Sequence, residues 1–126
     1  MKREEFEKIV NSAIKTIPKK FLEKIENVDI CIEDFPTPFQ LKKLKRKDPF
    51  SILGLYEGVP KTKRGTSYGM VLPDKITVFQ KPIERISSNK KEIEKIVKRV
   101  VWHEIAHHFG MDEAQVQKVE RKIKDK

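Results

Sequence analysis

Three histidines and one glutamate late in the chain have the types and the spacing of a metal site. The histidines His103, His107 and His108 are all that the protein has, and they fall within six positions of the stretch VVWHEIAHHFGMDE. In a helix, His103 and His107 are one turn apart on one face, the spacing at which two imidazoles bind one zinc ion. Glu104 then lies beside the metal, where it can act as a general base. The stretch therefore predicts a zinc site.

The third zinc ligand must come from outside this histidine pair, because a catalytic site has three protein ligands and an open position for water. His108 is adjacent to His107 and points about a quarter turn away, which makes it a poor joint ligand. After Gly110, which can turn the chain back, Asp112 and Glu113 follow. Asp112 is better suited to capping a final helix. We expect Glu113 to be the ligand. A first-turn carboxylate at Glu113 and a more distant carboxylate ligand stay open as alternatives.

Glu104 determines which reaction such a site performs. A carboxylate in this position can take a proton from zinc-bound water as the water attacks a carbonyl carbon. It can then deliver that proton to the leaving amine. The motif therefore predicts amide hydrolysis, and it leaves room for the hydrolysis of other amides or esters.

The motif requires a helix, and the preceding sequence provides one from Asn89 to Phe109. Ser88 or Asn89 can cap its start, with Glu92 three residues after Asn89 as in a capping box. Its apolar positions recur at helical spacing. They are Ile93, Ile96, Val97, Val100 and Val101.

The remaining elements predict an α+β fold. Helical periodicity covers Arg3–Thr16 and Lys19–Glu26, and a last helix follows Asp112 to about Lys124. Residues 37–50 are the least regular part, and Glu57–Ser67 is predicted to be an exposed loop. Strands are predicted at Val28–Glu33, Ser51–Tyr56, Tyr68–Leu72 and Ile76–Phe79.

Length and composition predict one soluble domain over residues 1–126. The start of the chain lacks the apolar core of a signal peptide, and no run has the length to span a membrane. Cys31 is the only cysteine and is expected in a strand as a small buried hydrophobe. These features predict a protein of the reducing cytoplasm.

The net charge of +9, from 28 basic and 19 acidic residues, has two interpretations. A solvated Lys/Glu-rich surface is favoured over a nucleic-acid surface, because the basic residues are scattered. The run LKKLKRK at residues 41–47 is the best local candidate for a nucleic-acid patch, but no aromatic platform is interleaved with it.

Three stretches, LGLYEGVP, YGMVLPDKI and HEIAHHFG, resemble the small bacterial zincin-like metallopeptidases, which are minimal metzincin-like domains. The resemblance implies a small mixed sheet with the zinc-site helix packed on it and helices at its flanks. It also implies zinc as cofactor and peptides or proteins as substrates. The family pattern HExxHxxGxx plus an acidic residue matches His103, Glu104, His107, Gly110 and Glu113. This chain departs from it in carrying Glu where Asp is frequent, and it has no methionine for a Met-turn among the thirteen residues after Glu113.

Substrate in such a protein is expected to pair with the edge of the sheet, along the strand Lys75–Phe79 or the strand Tyr68–Leu72. Tyr68 is a candidate to stabilise an oxyanion, although a packed aromatic is the favoured role. The leading hypothesis is a cytoplasmic zinc metallopeptidase. The alternatives are a basic zinc-dependent ribonuclease or RNA-processing factor and a non-catalytic zinc-binding protein.

Overall fold

The computed structural model describes residues 1–22, 28–58, 74–108 and 118, with Lys20, His107 and His108 described by their backbone alone. It contains three strands and five α-helices within those ranges. The helices are α1 (Arg3–Lys15), α2 (Lys19–Leu22), α3 (Pro38–Lys43), α4 (Gln80–Ile86) and α5 (Lys90–His108). The strands are β1 (Val28–Glu33), β2 (Gly54–Glu57) and β3 (Asp74–Phe79).

The three strands form one mixed sheet in the order β1-β3-β2. β1 runs parallel to β3, with Val28 opposite Asp74, and β2 runs antiparallel to β3, with Gly54 opposite Val78. β3 is therefore central and accepts a neighbour on both sides. The helices and this mixed sheet confirm the predicted α+β class.

The core lies where α5 packs against α1 and against β2 and β3 of the sheet. Helix α1 contributes the positions that its periodicity predicted, and β3 contributes Ile76 and Val78, which are fully buried. The rings of Phe21 on α2 and of the buried Trp102 on α5 meet in an edge-type contact, with centroids 5.1 Å apart. Burial of these apolar side chains is the main favourable contribution to folding.

The long helix α5 begins as its sequence predicts. The Asn89 side chain accepts a hydrogen bond from the Glu92 N–H at 3.0 Å, and the Glu92 carboxylate accepts one from the Ser88 N–H at 3.1 Å. The Asn89 bond satisfies an amide donor that a helix start otherwise leaves without a partner, and the Glu92 bond ties the preceding residue, rather than the N-cap N–H of a regular capping box, to the first turn. Ile93, Val97, Val100 and Val101 are buried, which confirms the predicted apolar stripe.

Two short helices correct the expected layout. Residues 37–50 were expected to be irregular, yet α3 forms there behind a capping box, in which Thr37 and Gln40 exchange bonds of 2.9 and 3.1 Å. Helix α4 follows β3 directly and places Pro82 in its first turn, where proline is tolerated because that N–H has no partner in the helix.

The second strand also differs from its prediction. Ser51 belongs to a 3₁₀ turn, Pro49–Ser51, which Asp48 caps by accepting from the Phe50 N–H, so β2 begins only at Gly54. Cys31 lies in β1 as expected, but it is half-buried. The predicted strand Tyr68–Leu72 lies outside the described residues, as do the end of the Lys19–Glu26 helix, nearly all of the Glu57–Ser67 loop and, apart from Lys118, the last helix.

Candidate metal centre

Helix α5 contains all five positions of the HExxH motif. It is continuous from Lys90 to His108, so positions 103 and 107 are one helical turn apart on the same side of the helix. The helix therefore supplies the backbone geometry that a pair of histidine ligands requires.

The part of α5 that carries the motif is buried on almost every side. Val100, Val101, Trp102, Glu104, Ile105 and Ala106 are all less than one-tenth exposed. His103 is the exception, because it is half-buried in the middle of this run. A helix that is surrounded in this way belongs to the interior. His103 consequently marks the side on which the motif approaches solvent.

Glu104, the next residue, lies on the buried side of the helix, against β2. Its side chain is 8% exposed. A Cβ atom placed on Gly54 would lie 3.5 Å from Glu104 Cγ and only 2.5 Å from Val100 Cγ1. The absence of a side chain at Gly54 therefore allows α5 to approach β2 closely, and that approach holds Glu104 in place.

Gly54 is a positioning residue that the motif does not indicate. Its signal in the sequence is a glycine within an otherwise apolar strand, SILGLY, which often marks a close approach of another backbone or helix. The glycine belongs to one of the stretches that resemble the zincin-like family, but only the packing of α5 shows what it does there.

A tyrosine–aspartate pair lies two residues further along the same strand. The Tyr56 hydroxyl donates a 2.7 Å hydrogen bond to Asp74 Oδ2, and Asp74 is only 1% exposed. Gly58 is packed against this pair, since a Cβ there would lie 2.2 Å from the Tyr56 hydroxyl oxygen. The pair joins the end of β2 to the start of β3, on the face that also carries Gly54 and Ile76.

The strand expected to receive substrate needs correction. Lys75–Phe79 was a candidate edge, but β3 is bonded to β1 on one side and to β2 on the other. Its backbone groups are therefore engaged, and it cannot accept a further strand. Within the described ranges β2 is paired with β3 alone, which makes it the edge strand that adjoins the motif helix.

The predicted site residues divide into two groups. His103 and Glu104 are described fully and His107 by its backbone, whereas Tyr68, Asp112 and Glu113 lie outside the described residues. Among the side chains that are described, no group of three His, Cys, Asp or Glu residues could hold a metal ion. The residues of α5 nevertheless fit a zinc ion. They provide two histidine positions one turn apart and a buried carboxylate beside the first.

An α+β domain with HExxH on a helix that packs against a mixed sheet defines the zincin class of protein. Residues 25–123 match the model of a family described as zincin-like metallopeptidase. The chain therefore belongs to the zincin-like metallopeptidase family, as its sequence predicted. No curated protein matches it. No helix within the described residues is long and apolar enough to cross a membrane.

Proposed function

We propose that the protein is a zinc-dependent peptidase that hydrolyses peptide bonds with Glu104 as general base. The observation that carries the proposal is the placement of the motif. One continuous helix bears HExxH, holds Glu104 in the packed interface with β2, and leaves His103 at the boundary with solvent. Membership of the zincin-like metallopeptidase family supports the same conclusion.

His103 and His107 would hold the zinc ion, with Glu113 as the proposed third ligand. When bound, zinc supplies Lewis-acid chemistry, which polarises a substrate carbonyl and lowers the pKa of water. The His103 side chain is suited to this role because it is half-buried, and so is supported by its neighbours while keeping one side open. Peptides or exposed protein segments are the proposed substrates.

The part of Glu104 in the reaction is to move one proton. Its carboxylate takes a proton from the attacking water as the water oxygen bonds to the carbonyl carbon of the substrate. When the carbon–nitrogen bond breaks, Glu104 returns that proton to the leaving nitrogen, which departs as an amine. Packing against Gly54 and burial of the surrounding turn restrict the side chain, so little reorganisation is needed.

Glu104→Gln tests this role, because the amide keeps the shape of the side chain and cannot accept the proton. We expect the variant to fold and to retain zinc while its kcat falls about 10²–10⁴-fold, the usual contribution of a general base. The matched control is Glu94→Gln, which makes the same change on the same helix about 15 Å earlier along its axis. Activity retained in Glu104→Gln would refute the mechanism.

The metal is tested separately by measuring the zinc content of the purified protein and of His107→Ala. One zinc per chain in the wild type, lost in the variant, is the expected result. A protein that contains no metal and takes up no zinc on addition would contradict the proposal. Peptide-library cleavage by the zinc-loaded protein then measures whether the site acts on peptide bonds.

A further inference from the structure

Residues 35–50, here called the excursion, lie in the connection between β1 and β2. Aromatic contacts join its two ends. The rings of Phe35 and Phe50 meet edge to face, with centroids 5.1 Å apart. The Arg85 guanidinium of α4 lies over the Phe50 ring, 4.2 Å from its centroid. These contacts join the two ends of the excursion to each other and to the domain. These contacts therefore hold the segment that carries helix α3 against the rest of the domain.

Hydrogen bonds also fix the C-terminal end of α3. The backbone conformation there is unusual for the residue type that occupies it. The Lys45 N–H donates to the Lys42 carbonyl at 3.1 Å, and the Arg46 N–H donates to the Leu41 carbonyl at 2.9 Å. This pair of bonds is the Schellman arrangement, in which the residue after the cap is left-handed and is usually glycine. Here it is Lys45, with φ of 57°. A lysine at this position is strained, which is a feature often found at functional sites.

The excursion carries a concentrated positive charge. All of its cationic side chains are exposed, and none makes an ion pair with another described residue. Two acidic residues in this region have other partners: Asp48 accepts from the Phe50 N–H, and Glu57 accepts from Gln40 Nε2 at 2.9 Å. The cations are Lys42, Lys43, Lys45, Arg46 and Lys47.

An exposed aromatic ring lies next to these cations. Phe39 is 73% exposed, the highest value among the exposed large hydrophobic residues. Lys42 and Lys43 follow Phe39 by three and four residues, so the three side chains are neighbours on one face of α3. No aromatic residue is interleaved with the basic run itself, but Phe39, two residues before its start, provides an exposed ring beside it.

We propose that Phe39 and these five cations, here called the α3 surface, bind single-stranded nucleic acid. A base stacks on the Phe39 ring while the lysines and Arg46 contact the phosphates on either side. Charge complementarity favours this ligand, because protein interfaces are depleted in lysine and seldom gather five unpaired cations. The membrane-surface mode of binding requires a broad apolar helix face, whereas this six-residue helix offers one prominent ring. The proposal does not depend on zinc or on peptidase activity.

Fluorescence anisotropy with a labelled single-stranded RNA of about 12 nucleotides tests the proposal on the full chain. Single-stranded DNA of the same sequence is the second probe. We expect binding that weakens as salt rises from about 50 to 200 mM, with a logarithmic slope no steeper than about −3.5, since each of five phosphate contacts contributes about −0.7. Equal binding of both probes supports recognition of shared phosphate and base chemistry, and preference for RNA supports recognition of the 2′-hydroxyl as well.

Charge reversal locates the binding. Lys43→Glu with Lys47→Glu should weaken binding at least about tenfold and reduce the salt slope by about 1.4, because two phosphate contacts are lost. The control, Lys91→Glu with Lys95→Glu, reverses the same number of exposed charges on α5. Equal weakening by both pairs would overturn the proposal, since it would show only attraction by the overall positive charge.

Two further variants separate recognition from folding. Phe39→Ala should weaken binding about tenfold with an unchanged salt slope, because stacking and not charge is lost. Lys45→Gly should weaken binding while raising the unfolding midpoint, because it removes a cation and relieves the left-handed strain. Unchanged affinity in Phe39→Ala would refute the stacking. Binding of a polyglutamate peptide or of anionic vesicles as tightly as RNA would refute nucleic acid as the ligand.

Discussion

Gly54→Ala adds one methyl group where the motif helix meets the sheet. The new Cβ would lie 2.5 Å from Val100 Cγ1 and 3.4 Å from the Thr77 carbonyl oxygen. Ordinary carbon–carbon contact begins near 3.5 Å, so Val100 must move by about 1 Å. Val100 cannot swing aside easily, since a β-branched residue in a helix has one strongly preferred rotamer. We therefore expect α5 itself to shift away from β2.

The expected cost follows from two opposing effects. Overpacking a core by one methyl group destabilises a protein by about 1–3 kcal/mol. Replacing glycine in a strand returns about 0.5–1 kcal/mol by restricting the unfolded chain. The free energy of unfolding should thus fall by about 0.5–2 kcal/mol, measured by urea denaturation monitored by circular dichroism.

The matched variant is Val100→Ala, which removes the methyl group that the new Cβ would meet. Alone, it should cost about 1–3 kcal/mol through the cavity it leaves. Combined with Gly54→Ala, it should cost about 1–2 kcal/mol less than the sum of the two single changes, because the added methyl then fills vacated space. If the proposed peptidase function holds, Gly54→Ala should also lower kcat by up to about 100-fold through displacement of Glu104, and the double variant should recover part of the loss.

Additive costs would refute this reasoning. They would mean that positions 54 and 100 do not compete for the same space, and that the close approach of α5 to β2 is not set by glycine. A stability for Gly54→Ala within about 0.5 kcal/mol of the wild type would lead to the same conclusion.

Two further substitutions examine polar groups within the sheet. Tyr56→Phe removes the 2.7 Å hydrogen bond to the buried Asp74 and should lower stability by about 1–3 kcal/mol in urea denaturation, so an unchanged midpoint would contradict that bond. Thr77→Val should raise stability by about 1 kcal/mol, because Thr77 Oγ1 is buried and has no hydrogen-bond partner among the described residues. Destabilisation by Thr77→Val would show that the hydroxyl is satisfied in the protein.

The long elements could be predicted from the sequence because local patterns determine them. Helix α5 combines an apolar stripe with an N-cap at Asn89, whose side chain accepts from the Glu92 N–H, and both predicted features are present. Helix α1 and strand β1 likewise have the hydrophobic periods of a helix and of a strand. These elements fix the fold class, since a buried helix face and an apolar strand require each other as partners.

The short helices and the strand order are less predictable from the sequence than the long elements. Helix α3 has six residues, too few to show a period, although Thr37-Pro38 followed by Gln40 is a recognisable helix start. The order β1-β3-β2 depends on pairing between residues far apart in sequence, such as Tyr56 with Ile76. Local patterns carry no information on such pairing. For that reason the central strand was expected to be an edge.

The candidate site likewise has a part that the sequence predicts and a part that depends on packing between distant residues. His103, Glu104 and His107 could be proposed as site residues from spacing alone, because positions four residues apart lie on the same side of a helix. The role of Gly54 could not, because it depends on which strand lies beneath α5. The exposure of Phe39 beside the basic run also required the structure, since a phenylalanine in sequence is ordinarily expected to be buried.

Adjacent residues in a helix point about 100° apart, and this angle imposes a condition on any HExxH site. If the helix lies too far inside the protein, both His103 and Glu104 are covered and no substrate can reach them. If it lies too far outside, Glu104 is solvated and loses the packing that orients it. In this protein Glu104 is 8% exposed while His103 is half-buried. The helix therefore lies at a depth that keeps Glu104 packed and leaves part of His103 exposed. Gly54 sets that depth on the β2 side, because any side chain there would lift α5 and with it the turn that carries both residues.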